Sequence, residues 1–319
     1  MAGFFGLLDY NKPGKGVEKG GPQKQPFFVF FEVLFRKFWK LVLLNLVYCL
    51  FWMPIPIIGL LLALYALPQP QPLFFLGSLA LTLLICGPIT CGLTYVTRNF
   101  ARQEHAFVWH DFIGATKANW KQGLAASLIN GLVYGILGFA AYFYIMNKDI
   151  TNFQPVFYLA IVVAVIALLI FTFMQYYIYL SIVSCKLTLK KIYQNAFRLA
   201  LAGVPRNLLI SIFVVPCVAV LLLLAMDYQP LLFFAFPISL IFTFAFGSFL
   251  INFIAYPFFQ KNVIDPYYRE HPDQISDTMR TWGYLAEQEQ AQEEYEENAD
   301  GEEQAAPSEP IGKPDPSKS

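Results

Sequence analysis

Six stretches of this chain are apolar over the roughly 20 residues that a helix needs, at 1.5 Å per residue, to cross the hydrocarbon of a bilayer. They fall at residues 39–65, 73–96, 124–145, 155–185, 208–226 and 230–259. The fourth and sixth are longer than the hydrocarbon alone requires, which implies tilt or an extension past the interface. Only 14% of the 319 residues are charged and 57% are apolar, whereas a soluble domain carries about 25% charge. That balance excludes a disordered chain, a nucleic-acid-binding domain and an ordinary cytosolic enzyme.

The cations fix an expected orientation. Of the 22 Lys and Arg, 21 lie before or at the very start of the first stretch, in the second-to-third and fourth-to-fifth connections, or after the last stretch. Only Lys148 lies in an alternate connection. Cytoplasmic loops collect Lys and Arg, so the expected fold is all-α: a polytopic membrane bundle of six transmembrane helices with both termini cytoplasmic. No cleavable secretory leader is expected at the start, because the apolar run before Lys12 is short and lacks a basic leader. The zero net charge is a cancellation. Through Lys261 there are 18 Lys and Arg against 7 Asp and Glu, and beyond it 4 against 15.

Three regions follow: a basic leader with an interfacial helix (1–38), the six-span domain (39–261) and an acidic tail (262–319), solvated and partly disordered. The interfacial helix covers 27–38, with Glu32, Arg36 and Lys40 on one face and phenylalanines over the rest. In the first large connection Asp111 can cap a short helix, with Lys117 and Lys121 reaching toward lipid phosphate. In the second, Thr188 is the expected N-cap, and Gly203 and Pro205 end the helix. The two connections share Phe112 with Phe197, Lys121 with Arg206 and Leu124 with Leu209 at an offset of 85 residues. A duplicated span-linker-span unit and chance both account for that.

The spans hold no mid-membrane charge of the kind that marks ion or proton routes. Their polar groups are neutral, among them Asn45, Asn130, Gln175 and Asn252. These four either hydrogen-bond between helices or line a path for an uncharged solute. Pro54, Pro56, Pro88, Pro216 and Pro237 interrupt the spans and free backbone carbonyls. His105 and His110 are five apart, so they do not share a helix face as a zinc-gripping pair does. The five cysteines sit in or at the ends of spans and read as reduced packing residues. No catalytic set, metal site or cofactor is expected. The cytoplasmic contacts expected for anionic lipid headgroups or a partner are Arg98, Arg102, Lys117, Lys121, Lys190, Lys191 and Arg206.

Gly87-Pro88-Ile89-Thr90-Cys91-Gly92-Leu93 followed by Arg98, then Asp111-Phe112 and Lys117-x-Asn119-Trp120-Lys121-Gln122, resembles the YesL-like family of bacterial multi-pass membrane proteins. The resemblance extends to Pro13-Gly14-Lys15-Gly16-Val17, to Phe31 through Trp39 and to Tyr193-Gln194-Asn195-Ala196-Phe197, and it leaves out the acidic tail. It implies location in a bacterial cytoplasmic membrane and a role beside a carbohydrate-uptake system. It supplies no catalytic residues. The coupling motif Glu-Ala-Ala-x-x-x-Gly of ATP-driven importers is not matched: its nearest counterpart is Asn195-Ala196-Phe197, with Leu201 where the glycine belongs. Two functional readings stay open: an accessory or regulatory partner of a membrane transport system, and a facilitator or exporter of uncharged small solutes. An enzyme is not expected.

Overall fold

Residues 25–65, 71–146, 154–227 and 239–270 are described by the structure, a computed structural model. The leader through residue 24, the connections expected on the far side of the bundle with Lys148, the first part of the sixth stretch with Pro237, and the acidic tail beyond residue 270 lie outside them. The chain divides into two units, Met1–Phe259 and Gln260–Ser319. Among the described residues of the first are α1 (Pro26–Trp52), α2 (Pro54–Tyr65), α3 (Gln71–Ala101), α4 (Val108–Ala118), α5 (Trp120–Met146), α6 (Gln154–Ser184), α7 (Leu189–Ala202), α8 (Val204–Asp227), a π-helical turn (Ser239–Thr243) and α9 (Phe244–Phe259). In the second unit a π-helical turn (Gln260–Ile264) leads into α10 (Asp265–Glu270), where the rings of Tyr267 and Tyr268 meet edge to face.

Among the described residues five helices are long and apolar enough to cross a membrane, beginning at Pro26, Ala80, Trp120, Tyr158 and Ile241. The pair α7 and α8, bent by 92°, brings the number to six if it counts as one span. The helix expected at 27–38 is not a separate element. Pro26 opens α1, and nothing between Phe38 and Trp39 breaks it, so the same helix runs on to Trp52. The interruption falls at Met53-Pro54, where the proline ring and its missing N–H stop the α1 ladder.

α3 is the central element, packed against α1, α2, α4, α5, α6 and α9. Its crossing with α5 depends on two glycines. A Cβ on Gly87 would collide with the Gly123 carbonyl, and one on Gly123 would lie 2.9 Å from the Pro88 backbone. A third glycine, Gly92, lets the Phe112 carbonyl of α4 approach to within 2.6 Å of where its Cβ would stand. Small residues are what permit such backbone contact between membrane helices. Pro88 takes the N–H from the Leu84 carbonyl, and the Ser127 hydroxyl of α5 stands 3.5 Å from that oxygen. A kink opened by proline is thus partly re-satisfied by its neighbour.

Burial is uneven along the bundle. The core of Val33, Leu34, Leu41, Leu44, Val96, Phe100, Phe112 and Phe249 gathers at the end whose connections carry the Lys and Arg, here termed the basic end. Toward the other end Leu46, Leu50, Ile58, Leu132, Ile136, Phe139, Leu159, Val162 and Ile166 are exposed. So broad an apolar surface would be untenable in water and is what a hydrocarbon-facing surface consists of. The order long–short–long of α3–α4–α5 recurs in α6–α7–α8. At the offset of 85 residues the inner joints, Ala101 with Ser184, Val108 with Leu189, Ala118 with Ala202 and Trp120 with Val204, agree within four residues.

Candidate functional site

At the basic end α3 finishes in a set of polar contacts. The helix stops in a Schellman arrangement. Gln103 donates its N–H to the Phe100 carbonyl, and Glu104 donates to Asn99 at 2.8 Å. Gln103 holds the left-handed turn at φ 60°, where glycine is the usual occupant. Its side-chain oxygen accepts a 3.0 Å bond from Arg36 of α1. α4 then starts at Val108. The Asp111 carboxylate reaches back one turn to accept the Phe107 N–H at 2.8 Å, so the expected capping residue acts from inside the helix. At its far end the Asn119 amide donates to the Ala115 carbonyl, closing α4 where α5 begins.

Of the seven cations expected to face lipid or a partner, one does not. Arg98 is buried. Its guanidinium donates to the Val183 carbonyl and the Ser184 hydroxyl, both 3.0 Å, and twice to the Asn99 side-chain oxygen, while stacking over Tyr95. The expectation of a surface contact fails here because the last carbonyls of a helix have no partner of their own and carry partial negative charge. Arg98 is drawn to that end of α6. The other six are exposed. Arg102 pairs with Glu104 at 2.6 Å and lies over the Tyr256 ring. Lys121 sits over Trp120, and Arg206 over Phe258. Burial pushes the Glu104 carboxyl above the usual carboxylate range, and the charges of Arg102 and Arg98 pull in the opposite direction.

The four amides separate into three clusters. Asn130 of α5 and Gln175 of α6 form a reciprocal pair at 2.8 and 3.2 Å. Asn130 also accepts from the Tyr193 hydroxyl of α7 at 2.8 Å and bonds Tyr179. Asn45 of α1 accepts the backbone N–H of Ala245 at 2.8 Å, beside the π-helical turn that precedes α9. Asn252 of α9 donates to the Thr97 hydroxyl at 2.8 Å and to the Ser248 carbonyl at 2.9 Å; its own oxygen is buried without a hydrogen-bond partner. A further knot joins Tyr177 to Asn207 at 2.7 Å, and Asn207 to the Ala200 carbonyl. Thr97, Tyr177 and Asn207 were not singled out in the sequence, and Tyr193 entered it only within a motif. Polar side chains bordering the connections would have flagged them.

His105 packs edge to face on Phe107, and His110 lies beside Asp111 with an exposed ring. Among the described residues no three His, Cys, Asp or Glu come together as metal ligands.

The fold defines an integral membrane protein of the all-helical class. Residues 71–141, which are α3, α4 and most of α5, match the model of a family described as a protein of unknown function, DUF624. YesL-like proteins carry that domain, so the match over residues 71–141 agrees with the resemblance of the motifs. No curated protein and no solved structure matches the chain. Within the matched segment six motif residues have a structural task. Gly87 and Gly92 set the crossings, Arg98 closes α6, Asp111 and Asn119 cap α4, and Phe112 is fully buried in the core.

Proposed function

We propose that the protein is a non-catalytic, six-span component of a bacterial cytoplasmic membrane, both termini inside, and accessory or regulatory to a membrane transport system. The observation that carries this reading is the contrast at the basic end. The amides of Asn45, Asn130, Gln175 and Asn252 each hydrogen-bond protein groups, in separate clusters, with only the Asn252 oxygen unpartnered, while six cations, Arg102, Lys117, Lys121, Lys190, Lys191 and Arg206, are exposed. A solute path needs amides free to face a lumen; a docking platform needs a firm core and an accessible charged rim. A carbohydrate-uptake system is the first partner to seek, as the YesL-like resemblance implies. Crosslinking in native membranes followed by affinity capture of the full chain should recover a permease or another stable membrane partner. Repeated recovery of the chain alone would overturn the proposal.

A further inference from the structure

α7 meets α8 at 92°. The first turns of α8 expose Leu208, Leu209, Ile212 and Phe213, as a helix entering hydrocarbon does. With α8 along the bilayer normal, α7 lies in the plane of the membrane. Its inner face is fully committed: Ile192, Ala196, Leu199 and Ala200 are buried, and Tyr193 is bonded to Asn130. Its outer face combines Lys190, Lys191 and Arg198 with Phe197 and Leu201, the last two 46% and 48% exposed. The helix contains no carboxylate, and Lys186 precedes it. Cations that shield an aqueous surface do not need large apolar neighbours beside them. Cations at a headgroup layer do, because Phe and Leu enter the acyl boundary while the long basic side chains reach the phosphates.

We propose that α7 is an in-plane helix that binds the headgroups of anionic phospholipid through Lys190, Lys191 and Arg198, with Phe197 and Leu201 seated in the acyl boundary. This deepens the reading above by naming the lipid as a partner of the basic face, and it rests on that face meeting the inner leaflet. The test contains no other protein, so its outcome is separate from that of the partner capture. The full chain is placed in nanodiscs of phosphatidylcholine alone or with phosphatidylglycerol, and hydrogen exchange is followed over Leu189–Ala202. Phosphatidylglycerol should slow exchange in α7 on the order of tenfold, given the attraction of each basic residue to an anionic surface. Raising salt from about 50 to about 500 mM should remove the slowing. The variant K190Q/K191Q/R198Q should lose it with exchange in α3 unchanged, which also reports that the bundle is intact, while K117Q/K121Q should keep it. Equal exchange in the two lipids, slowing that survives the triple substitution, or protection that appears only in native membranes, which would assign the face to a protein, each overturns the proposal.

Discussion

The Arg98 guanidinium donates 3.0 Å hydrogen bonds to the Val183 carbonyl and the Ser184 hydroxyl, so that a cation of α3 closes the end of α6. The bond ties the DUF624 segment to the half of the chain that follows it. Arg98→Ala leaves the part-buried Val183 carbonyl and the Asn99 amide oxygen without their donor. It should cost on the order of 2–4 kcal/mol, since charge-assisted bonds are the stronger ones and orphaned acceptors carry a desolvation penalty. Arg98→Lys should recover only part of this, because an ammonium cannot reproduce the fork that serves Asn99, Val183 and Ser184 together. Denaturation in detergent micelles checks the order wild type, Lys, Ala.

The crossing of α3 and α5 gives a prediction with its own control. A methyl group at Gly87 would strike the Gly123 carbonyl of the facing helix, whereas Gly135 and Gly138 of α5 have open space where a Cβ would stand. Gly87→Ala should therefore destabilise by about 1–3 kcal/mol through overpacking. Gly135→Ala and Gly138→Ala should be neutral or stabilising by up to about 1 kcal/mol through helix propensity. Equal effects at all three positions would remove the close approach as the reason for glycine at residue 87.

Hydropathy made the spanning helices legible, and composition made the short amphipathic helices legible. Thr188 and Gly203 flank α7 where the sequence places them. The joints were harder to read. Counting cations along a chain treats each as a surface charge, which misplaces Arg98, whose destination is a helix end 85 residues away. Asn45 reads as one of a set with Asn252. Its partner, however, is the Ala245 backbone N–H beside a π-helical turn, and no local pattern announces that register change. The helix runs unbroken through Phe38 for a simpler reason: a change from amphipathic to apolar composition is no barrier to helix propagation, whereas Pro54 is.

Gln103 occupies the position after α3 where the backbone turns left-handed, at φ 60°. Gln103→Gly should stabilise the fold by about 0.5–1 kcal/mol, because a side chain at positive φ is strained and glycine is not. The Arg36 bond that it forfeits is exposed and offsets little of this. A fall in the denaturation midpoint would show that the Arg36 contact outweighs the backbone strain.

Glu104 predicts a pH effect of unusual sign. Its carboxyl titrates above the ordinary range in the folded protein, chiefly through burial and against the pull of Arg102 and Arg98. Between the unfolded value and the raised folded one, the folded state binds more protons, so this group's contribution to stability increases as pH falls through the window. Above the window the contribution is constant and unfavourable. Glu104→Gln, which fixes the neutral form, should flatten that part of the stability profile and be neutral or stabilising near pH 7. Unfolding midpoints of the two proteins from about pH 4 to pH 8 decide it; parallel profiles would show that Arg102 compensates the burial in full.

The Asn130 cluster separates the accessory reading from a solute path most directly. Asn130 joins three helices at once, through Gln175, Tyr193 and Tyr179. If these bonds hold the bundle together, Asn130→Ala orphans several part-buried groups and should cost about 1–3 kcal/mol. Tyr193→Phe in the same background should cost less than it does alone. The resulting coupling should be about 0.6–1.7 kcal/mol, the range of interhelical side-chain bonds in membranes. A residue lining a lumen behaves differently, because its substitution leaves stability nearly unchanged and alters solute flux. Denaturation cycles and proteoliposome swelling on the same four proteins therefore give opposite patterns for the two readings. The hydrogen bonds of Asn130, spent on α6 and α7, predict the first.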